Sequence, residues 1–303
     1  MRFRSILGWA VFFAIIAVIA QLLSPARAVY YLFQGKQRLH ARNYQAALES
    51  YQKSVETNPG LARGYVELGS TYFILHRYPE AEAAYKQAIA IQDESCARCG
   101  LGMLYRNTNR TAEAEADLRK SIELNAKDSC PYFELGRLYY DTKQYEKAFD
   151  VFKQRNELTH DAVTYHFLAN CNYRLGKVQE SLPFYEQAVS LSPDYEDVFI
   201  DQARAYNDLG RVADAAKALE RAIELNPENV EAHAYLGVIR FLQDDRDGAL
   251  REYQWVLNKD PKVAAELKKG LEELDDQVKR LRLKKISTSD QVPLVVGKSG
   301  GID

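Results

Sequence analysis

The chain is poor in cysteine, glycine and proline, and neither sign of charge is in excess. Four cysteines in 303 residues are too few for a disulfide-stabilised scaffold. Sixteen glycines and nine prolines exclude a collagen-like or low-complexity chain. Lysine and arginine number 40 and aspartate and glutamate 42, so the formal net charge is −2. A dedicated nucleic-acid binder normally carries a basic excess, and we therefore predict no nucleic-acid partner.

The sequence also lacks the motifs that usually carry chemistry. Its five histidines are scattered with no metal-ligand spacing. It contains neither Gly-x-Ser-x-Gly nor His-Glu-x-x-His. Gly297-Lys298-Ser299 matches only the end of a phosphate-binding loop, because Val292 stands where that loop needs a glycine. We predict a protein that is not an enzyme and has no metal site, no cofactor and no small-molecule substrate.

One long apolar segment lies near the start of the sequence. Residues 5–26 carry no charge, and as a helix they would span ~33 Å, enough to cross a hydrocarbon core of ~30 Å. Ala26-Arg27-Ala28 also fits the small-x-small pattern of a signal-peptide cleavage site. The apolar run is, however, longer than the ~7–15 residues of a cleaved signal. We expect residues 1–27 to be a transmembrane anchor, with a signal peptide as the alternative.

The charges around this segment do not decide its orientation. Arg2 and Arg4 precede it, but Arg27, Lys36 and Arg38 follow it. Because the cleavage-like site is typical of export, we expect a single-pass membrane protein whose remaining chain lies outside the cytoplasm, in the periplasm. After signal cleavage, the alternative is a secreted or periplasmic protein.

A repeat of about 34 residues governs most of the remaining sequence. Leu-Gly-x-x-Tyr recurs at residues 68–72, 101–105 and 135–139. In this register, positions 8 and 20 of all seven repeats hold small residues. The repeats cover 28–61, 62–94, 95–128, 129–161, 162–195, 196–229 and 230–263. Position 8 is Gly35, Gly69, Gly102, Gly136, Ala169, Ala203 and Gly237, and position 20 is Ala47, Ala81, Ala114, Ala148, Ser181, Ala215 and Ala249.

This pattern resembles the tetratricopeptide repeat (TPR), a helix–turn–helix unit of about 34 residues. Over residues 28–263 the resemblance implies an all-α, right-handed superhelical solenoid of about seven units with a concave face. Small residues let the two helices of a unit approach closely, and large residues at position 24 fill the space around them. Proline at position 32 ends four repeats, but Asp93, Ala126 and His160 replace it after repeats 2 to 4, which predicts looser turns there.

The last repeat of a solenoid needs a polar cap. Leu267, Leu271, Leu274, Val278 and Leu281 follow one another at spacings of 4, 3, 4 and 3, which places them on one helix face. We predict a capping helix over 264–285, with a partner-binding coiled coil as the alternative. Residues 286–303 contain few large side chains, and we expect a disordered tail.

The resemblance also implies a function. Such repeats are usually protein–protein interaction scaffolds, whose inner helices present positions 2, 5, 9, 12 and 13 to an extended peptide or helix of a partner protein. In the central repeats these positions are rich in arginine and aromatic residues, which concentrate binding energy at interfaces. The candidate groove residues are Phe73, Arg106, Phe133, Arg137, Tyr140, Tyr173, Arg174 and Arg204, and three carboxylates, Asp141, Asp197 and Asp208, interrupt this set. With the predicted anchor, they indicate a membrane-tethered scaffold in the assembly of an envelope complex; the alternative for these side chains is solvated surface and edge packing.

Three cysteines form a second candidate site. Cys96 and Cys99 make a C-x-x-C at the start of a predicted helix, where the helix N-terminus lowers a thiol pKa. No βαβ pattern surrounds them and no histidine follows Cys99, which excludes a thioredoxin-like domain and a c-type haem site. Cys130 holds the same repeat position as Cys96, so we expect its thiol nearby, whereas Cys171 is expected to be a packing residue.

The cysteines leave several readings open. The three thiols are inert, form a structural disulfide, or serve redox or metal chemistry. The alternative function is accordingly an envelope redox or maturation factor that uses Cys96 and Cys99. An accessory domain for a separately encoded enzyme is a third reading.

Overall fold

The structure, a computed structural model, describes residues 24–289. Regular structure in this range is entirely helical, and the helices fall into two compact parts that divide in sequence between Leu175 and Gly176. The N-terminal part contains α1 (24–40), α2 (Tyr44–Thr57), α3 (Ala62–Ile74), α4 (Tyr78–Ile91), α5 (Ser95–Asn107), α6 (Thr111–Leu124), α7 (Ser129–Asp141), α8 (Tyr145–Thr159) and α9 (Ala162–Arg174). The C-terminal part contains α10 (Val178–Leu191), α11 (Glu196–Asp208), α12 (Val212–Leu225), α13 (Val230–Leu242), α14 (Arg246–Lys259) and α15 (Pro261–Ser289).

Consecutive helices pack as antiparallel hairpins. The pairs α3–α4, α5–α6 and α7–α8 in the N-terminal part, and α11–α12 and α13–α14 in the C-terminal part, each lie within one predicted repeat. Neighbouring hairpins of each part stack through contacts such as α4 with α5 and α12 with α13. Each hairpin therefore buries its apolar face against the next, which a single unit cannot do alone.

The small residue at position 8 determines how closely the two helices of a hairpin approach each other. A Cβ placed on Gly136 would lie 2.7 Å from Cε1 of Phe152, the position-24 residue of the same repeat. The glycines at position 8 of repeats 1 to 3 face Tyr51, Tyr85 and Leu118 in the same way, with nearest distances of 2.4, 2.9 and 2.4 Å. Gly237 is looser, because its nearest neighbour, Cβ of Glu252, is 3.3 Å away. Large position-24 side chains thus occupy the space that position 8 leaves empty.

The turn inside every repeat has the same backbone conformation. Position 15 adopts a positive φ in all seven repeats. In six of them the next N–H donates back into the preceding helix, as Gln144 does to Tyr139 O over 2.8 Å. Only two of the seven are glycines, which adopt this conformation at little cost. The residues are Arg42, His76, Asn109, Lys143, Gly176, Gly210 and Asp244.

Two of the three turns that lack proline, those after repeats 2 and 4, are closed by side chains instead. After repeat 2, Arg98 pairs with Asp93 over 2.7 Å and with Asp117 over 2.6 Å. After repeat 4, α8 ends on His160 in a left-handed conformation, and Arg155 pairs with Asp161 over 2.8 Å. Arg98 and Arg155 therefore fasten these two turns through ion pairs.

The C-terminal helix is longer than the predicted capping helix. It begins at Pro261, which suits the first turn of a helix, and ends at Ser289, whereas the sequence predicted 264–285. Ala264 and Leu267 are buried with Val256, so α15 packs onto the last hairpin. Residues 286–289, expected in the tail, belong to α15; the remainder of that predicted tail lies outside the described residues.

The predicted membrane segment also falls outside this range, apart from its last residues. Helix α1 is described from residue 24, the first described residue, which is close to the end of the apolar run. Between residues 24 and 289, no helix combines the length and apolar character needed to cross a membrane.

Candidate partner-binding face

The predicted groove residues of the N-terminal part lie on its odd-numbered helices. Helix α5 contacts both α3 and α7 directly, in addition to its own hairpin partner. Phe73 lies on α3, Arg106 on α5, and Phe133 on α7. We call the surface formed by α3, α5, α7 and α9 the inner face.

An aromatic cluster occupies the part of the inner face formed by α7 and α9. The ring of Phe167 is edge-on to Phe133, at 5.6 Å between centroids, and edge-on to Tyr140, at 5.7 Å. Beneath it, Phe152 stacks on Phe167 at 4.8 Å. Phe167 was missed from the sequence because it holds position 6 of repeat 5, which is not among the family's groove positions. Its aromatic side chain on an inner helix is the only signal that the sequence offers.

Arginines surround this cluster. The guanidinium of Arg137 lies 5.7 Å from the Phe133 ring, and that of Arg155 lies 4.8 Å from the same ring. Nε of Arg174 donates to the hydroxyl of Tyr140 over 3.4 Å. Among the residues that the structure describes, no carboxylate pairs with Arg137. We call Phe133, Arg137, Tyr140, Phe167 and Arg174 the aromatic–arginine strip.

Arg106 belongs to the packing between repeats rather than to the strip. Only 13% of its side chain is exposed, and it pairs with Glu134 and with Asp141, each over 3.1 Å. Both carboxylates lie on α7, so this arginine links repeat 3 to repeat 4. From the sequence, Asp141 appeared only to interrupt the basic surface.

The other predicted groove residues are dispersed. Phe73 is half-buried with its ring 5.7 Å from that of Tyr78. Tyr173 is half-buried on α9 next to the exposed Arg174. Arg204 lies on α11 in the C-terminal part, where it pairs with Asp201 over 2.6 Å and also with Glu231.

The thiols share a cavity of about 520 Å³ on the inner face between α3, α5 and α7. Phe73, Cys96, Cys99 and Cys130 all line it. Sγ of Cys99 lies 2.8 Å from Sγ of Cys130, so the close partner of Cys99 comes from the next repeat. Cys171 is fully buried, and this burial raises its pKa to about 12.

The thiols differ in acidity, and not as the sequence predicted. Partial burial raises the pKa of Cys96, so the expected effect of the helix N-terminus does not prevail there. The hydrogen bond with Cys130, together with burial, raises the pKa of Cys99. The same hydrogen bond lowers the pKa of Cys130. Within residues 24–289, no group of three histidine, cysteine or carboxylate side chains is arranged to hold a metal ion.

Comparison with known proteins identifies the family. Sequence models described as tetratricopeptide repeats match residues 28–94, 97–128, 131–157, 162–195 and 203–244, about two thirds of the chain. The chain belongs to the tetratricopeptide repeat family. The predicted fold class, an all-α TPR solenoid closed by a C-terminal helix, is thereby confirmed, and the chain is a scaffold for protein–protein interaction.

The individual relatives of this TPR chain are distant. It is 24% identical over 250 residues to the BBSome complex member BBS4 homolog of Drosophila melanogaster, covering 77% of this chain and 44% of the relative. It is 22% identical over 235 residues to anaphase-promoting complex subunit 3 of Schizosaccharomyces pombe, covering 77% and 30%. The solved structure of Pseudomonas aeruginosa pilF shares the fold with a TM-score of 0.61 at 15% identity, and the match covers 69% of this chain and 97% of that one. The chain thus spans less than half the length of these two curated relatives.

Proposed function

We propose that this TPR chain is a membrane-tethered, non-enzymatic scaffold that holds an extended peptide or a helix of a partner protein on its inner face. The observation that carries the proposal is the aromatic–arginine strip. The strip combines aromatic rings with the guanidinium of Arg137. Among the described residues, no carboxylate forms an ion pair with this guanidinium. Surfaces of this composition concentrate binding energy.

The chemistry of the strip defines the partner segment. Phe133, Tyr140 and Phe167 supply ring faces and edges for apolar side chains. Arg137 and Arg174 supply planar cations that pair with a carboxylate through two parallel hydrogen bonds. The segment that fits best therefore carries both acidic and apolar side chains.

The relatives support a role in assembly. By their names, the fly relative is a member of the BBSome complex and the yeast relative is a subunit of the anaphase-promoting complex. We extend this role to the present chain and place it, because of the predicted anchor, in an envelope complex.

Helix α1 supports the membrane tether. Val29, Tyr30 and Phe33 are 53%, 56% and 57% exposed, directly after the predicted apolar segment. Exposed aromatic side chains at this place suit the interface between lipid and water. Ala28 is fully buried, and its carbonyl accepts a hydrogen bond from Ser54 over 2.8 Å. Cleavage after Ala28 would remove that acceptor, which favours an uncleaved anchor.

Binding to the strip is testable without knowing the partner. Peptides selected from a random display library against the full chain in detergent are expected to be acidic and apolar. The double variant Arg137→Ala/Tyr140→Ala should weaken their binding, measured by fluorescence anisotropy, by more than ~2 kcal/mol, or about 30-fold. Selection of basic peptides, or unchanged binding in the folded double variant, would contradict the proposal.

Lys120→Ala provides the matched control for this experiment. It removes one positive charge from α6, an even-numbered helix, where Lys120 forms an exposed pair with Glu123 over 3.0 Å. Such pairs contribute little to stability, so this variant should fold and bind as the natural chain does. A melting curve of each variant separates loss of binding from loss of folding.

The tether has its own test. Alkaline carbonate washing of native membranes should leave the protein in the pellet. Release of a protein whose first residue is Val29 would show that the segment is a cleaved signal instead.

A further inference from the structure

Two thiols from neighbouring repeats meet on the inner face. Cys99 lies on α5 and Cys130 on α7, and these two helices contact each other. The two Sγ atoms are 2.8 Å apart, whereas a disulfide bond measures about 2.05 Å. The sulfurs therefore need to approach by only about 0.8 Å to be joined.

We propose that Cys99 and Cys130 are a reversible disulfide site between repeats 3 and 4, in which Cys130 is the attacking thiol and Cys99 the resolving thiol. This pairing differs from the C-x-x-C that the sequence suggested, and it leaves Cys96 as a bystander. It does not depend on partner binding to the aromatic–arginine strip.

The surroundings of the two sulfurs differ in the way that these roles require. Cys130 is exposed and is the second residue of α7, so an external disulfide can reach its sulfur. Cys99 is only 3% exposed, and its sulfur shares a hydrogen bond with the Cys130 sulfur in which either thiol can be the donor. That hydrogen bond lowers the pKa of Cys130, against the opposing effect of Asp128 and Glu134. The accessible thiol is thus also the more acidic of the two.

The reaction is an exchange with an external disulfide, either that of an oxidant protein in its disulfide form or that of oxidised glutathione. The Cys130 thiolate attacks one sulfur of that disulfide, its S–S bond breaks, and the first external thiolate leaves. Cys99 then gives up its proton to solvent and attacks the Cys130 sulfur of the mixed disulfide, and the second external thiolate leaves. Two protein thiols are oxidised, and one external disulfide is reduced to two thiols.

The cross-link has a structural consequence. It would join α5 to α7 beside the Arg106–Glu134 ion pair, within the cavity that Phe73 also lines. In a stack where each repeat contacts only its neighbours, such a bond fixes one inter-repeat interface. A bridge that closes a loop of this length should raise the melting temperature by about 5–10 °C over the reduced protein.

Tryptic mapping tests the pairing on the full chain in detergent. The chain is incubated with oxidised glutathione, free thiols are blocked with N-ethylmaleimide, and the digest is analysed by mass spectrometry. Trypsin cleaves after lysine and arginine, so Cys96, Cys99 and Cys130 fall in three different peptides, 87–98, 99–106 and 128–137. We expect 99–106 linked to 128–137. A link between 87–98 and 99–106, or unlinked peptides only, would overturn the proposal.

Single variants test the two roles. Cys99→Ser should accumulate glutathione on Cys130, whereas Cys130→Ser should leave Cys99 without glutathione. Cys96→Ser is the matched control and should form the disulfide at the natural rate. Glutathione on Cys99 in the Cys130→Ser variant would reverse the assignment. If a variant does not fold, alkylation of the reduced natural chain shows which thiol is the attacking one. We expect Cys130 to react with iodoacetamide at least tenfold faster than Cys99.

Discussion

Gly136 shows how one missing side chain brings two helices together. It holds position 8 of repeat 4, and a Cβ there would lie 2.7 Å from the fully buried ring of Phe152. Buried side chains pack at close to crystalline density, so the ring has little room to move away. The short distance between α7 and α8 at this point therefore depends on the absence of a Cβ.

Gly136→Ala should consequently destabilise the protein. Overpacking costs ~1–3 kcal/mol, and the better helix propensity of alanine returns at most ~1 kcal/mol. We expect a net loss of about 1–2 kcal/mol in the free energy of unfolding, measured by urea denaturation. Gly270→Ala on α15 is the control, because a Cβ there meets no atom within 4 Å. That variant should be neutral or slightly more stable, and equal effects at the two sites would refute the packing argument.

Helices of successive repeats are joined by a recurring hydrogen bond. The tyrosine of each Leu-Gly-x-x-Tyr motif reaches back to the second helix of the preceding repeat. Tyr105 donates to Glu82 over 3.0 Å, and Tyr139 donates to Glu115 over 2.6 Å. In repeat 2, the hydroxyl of Tyr72 accepts from Gln52 over 3.2 Å. The motif thus specifies contacts between repeats as well as within them.

Glu82 makes this junction sensitive to acid. Burial alone would raise its pKa, but hydrogen bonds from Lys86, Arg110 and Tyr105 outweigh burial and lower the pKa to about 2. In the unfolded chain the pKa of a glutamate is about 4.3. The stabilisation is therefore complete above about pH 4.3 and is lost as the pH falls towards 2.

Between about pH 5 and 2, the melting temperature of the natural chain should therefore fall more steeply than that of the Glu82→Gln variant. The variant has no carboxylate to protonate at this site. Differential scanning calorimetry across this pH range measures the difference. Glu123→Gln, which removes a carboxylate that is 65% exposed, serves as the control and should follow the natural chain. Parallel curves for Glu82→Gln and the natural chain would count against this reading.

Across the whole molecule, all seven repeats turn through a left-handed residue at position 15, although only two of these residues are glycines. A side chain in this conformation costs roughly 1–2 kcal/mol. Glycine removes that cost. Part of the gain in stability is offset, however, because glycine also raises the conformational entropy of the unfolded chain. The repeat architecture therefore imposes one backbone turn on residues as different as Arg42 and Lys143.

Glycine at these turns should stabilise the protein. We expect Arg42→Gly and Lys143→Gly to add about 0.5–1 kcal/mol each to the free energy of unfolding. The sites belong to different turns, so the double variant should show the sum. Gly210→Ala, at φ 72°, should change stability in the opposite direction. Thermal melts of the four variants and the natural chain provide the measurement. Destabilisation by both single glycine variants would contradict the inference that these side chains are strained.

The candidate site was less predictable than the fold. Position within the repeat correctly assigned Phe133, Arg137 and Tyr140 to inner helices, because a helix face is set by local spacing. It did not reveal that Phe167 completes the aromatic cluster or that Arg106 is engaged by two carboxylates. These contacts join residues about 30 positions apart, and their partners depend on how one hairpin stacks on the next.

The periodic spacing of small and large residues was by itself enough to define the helices, the hairpins and the family. Helix periodicity and close packing act over one turn or one hairpin, and both are written in the local order of residues. The stacking offset between hairpins, in contrast, is not determined by the local order of residues. It set Cys130 rather than Cys96 against Cys99, and it turned Asp141 from an interruption into the partner of Arg106. Which charges and thiols remain available to a partner is therefore a property of the folded stack, since it depends on neighbours that the chain meets only after a full repeat.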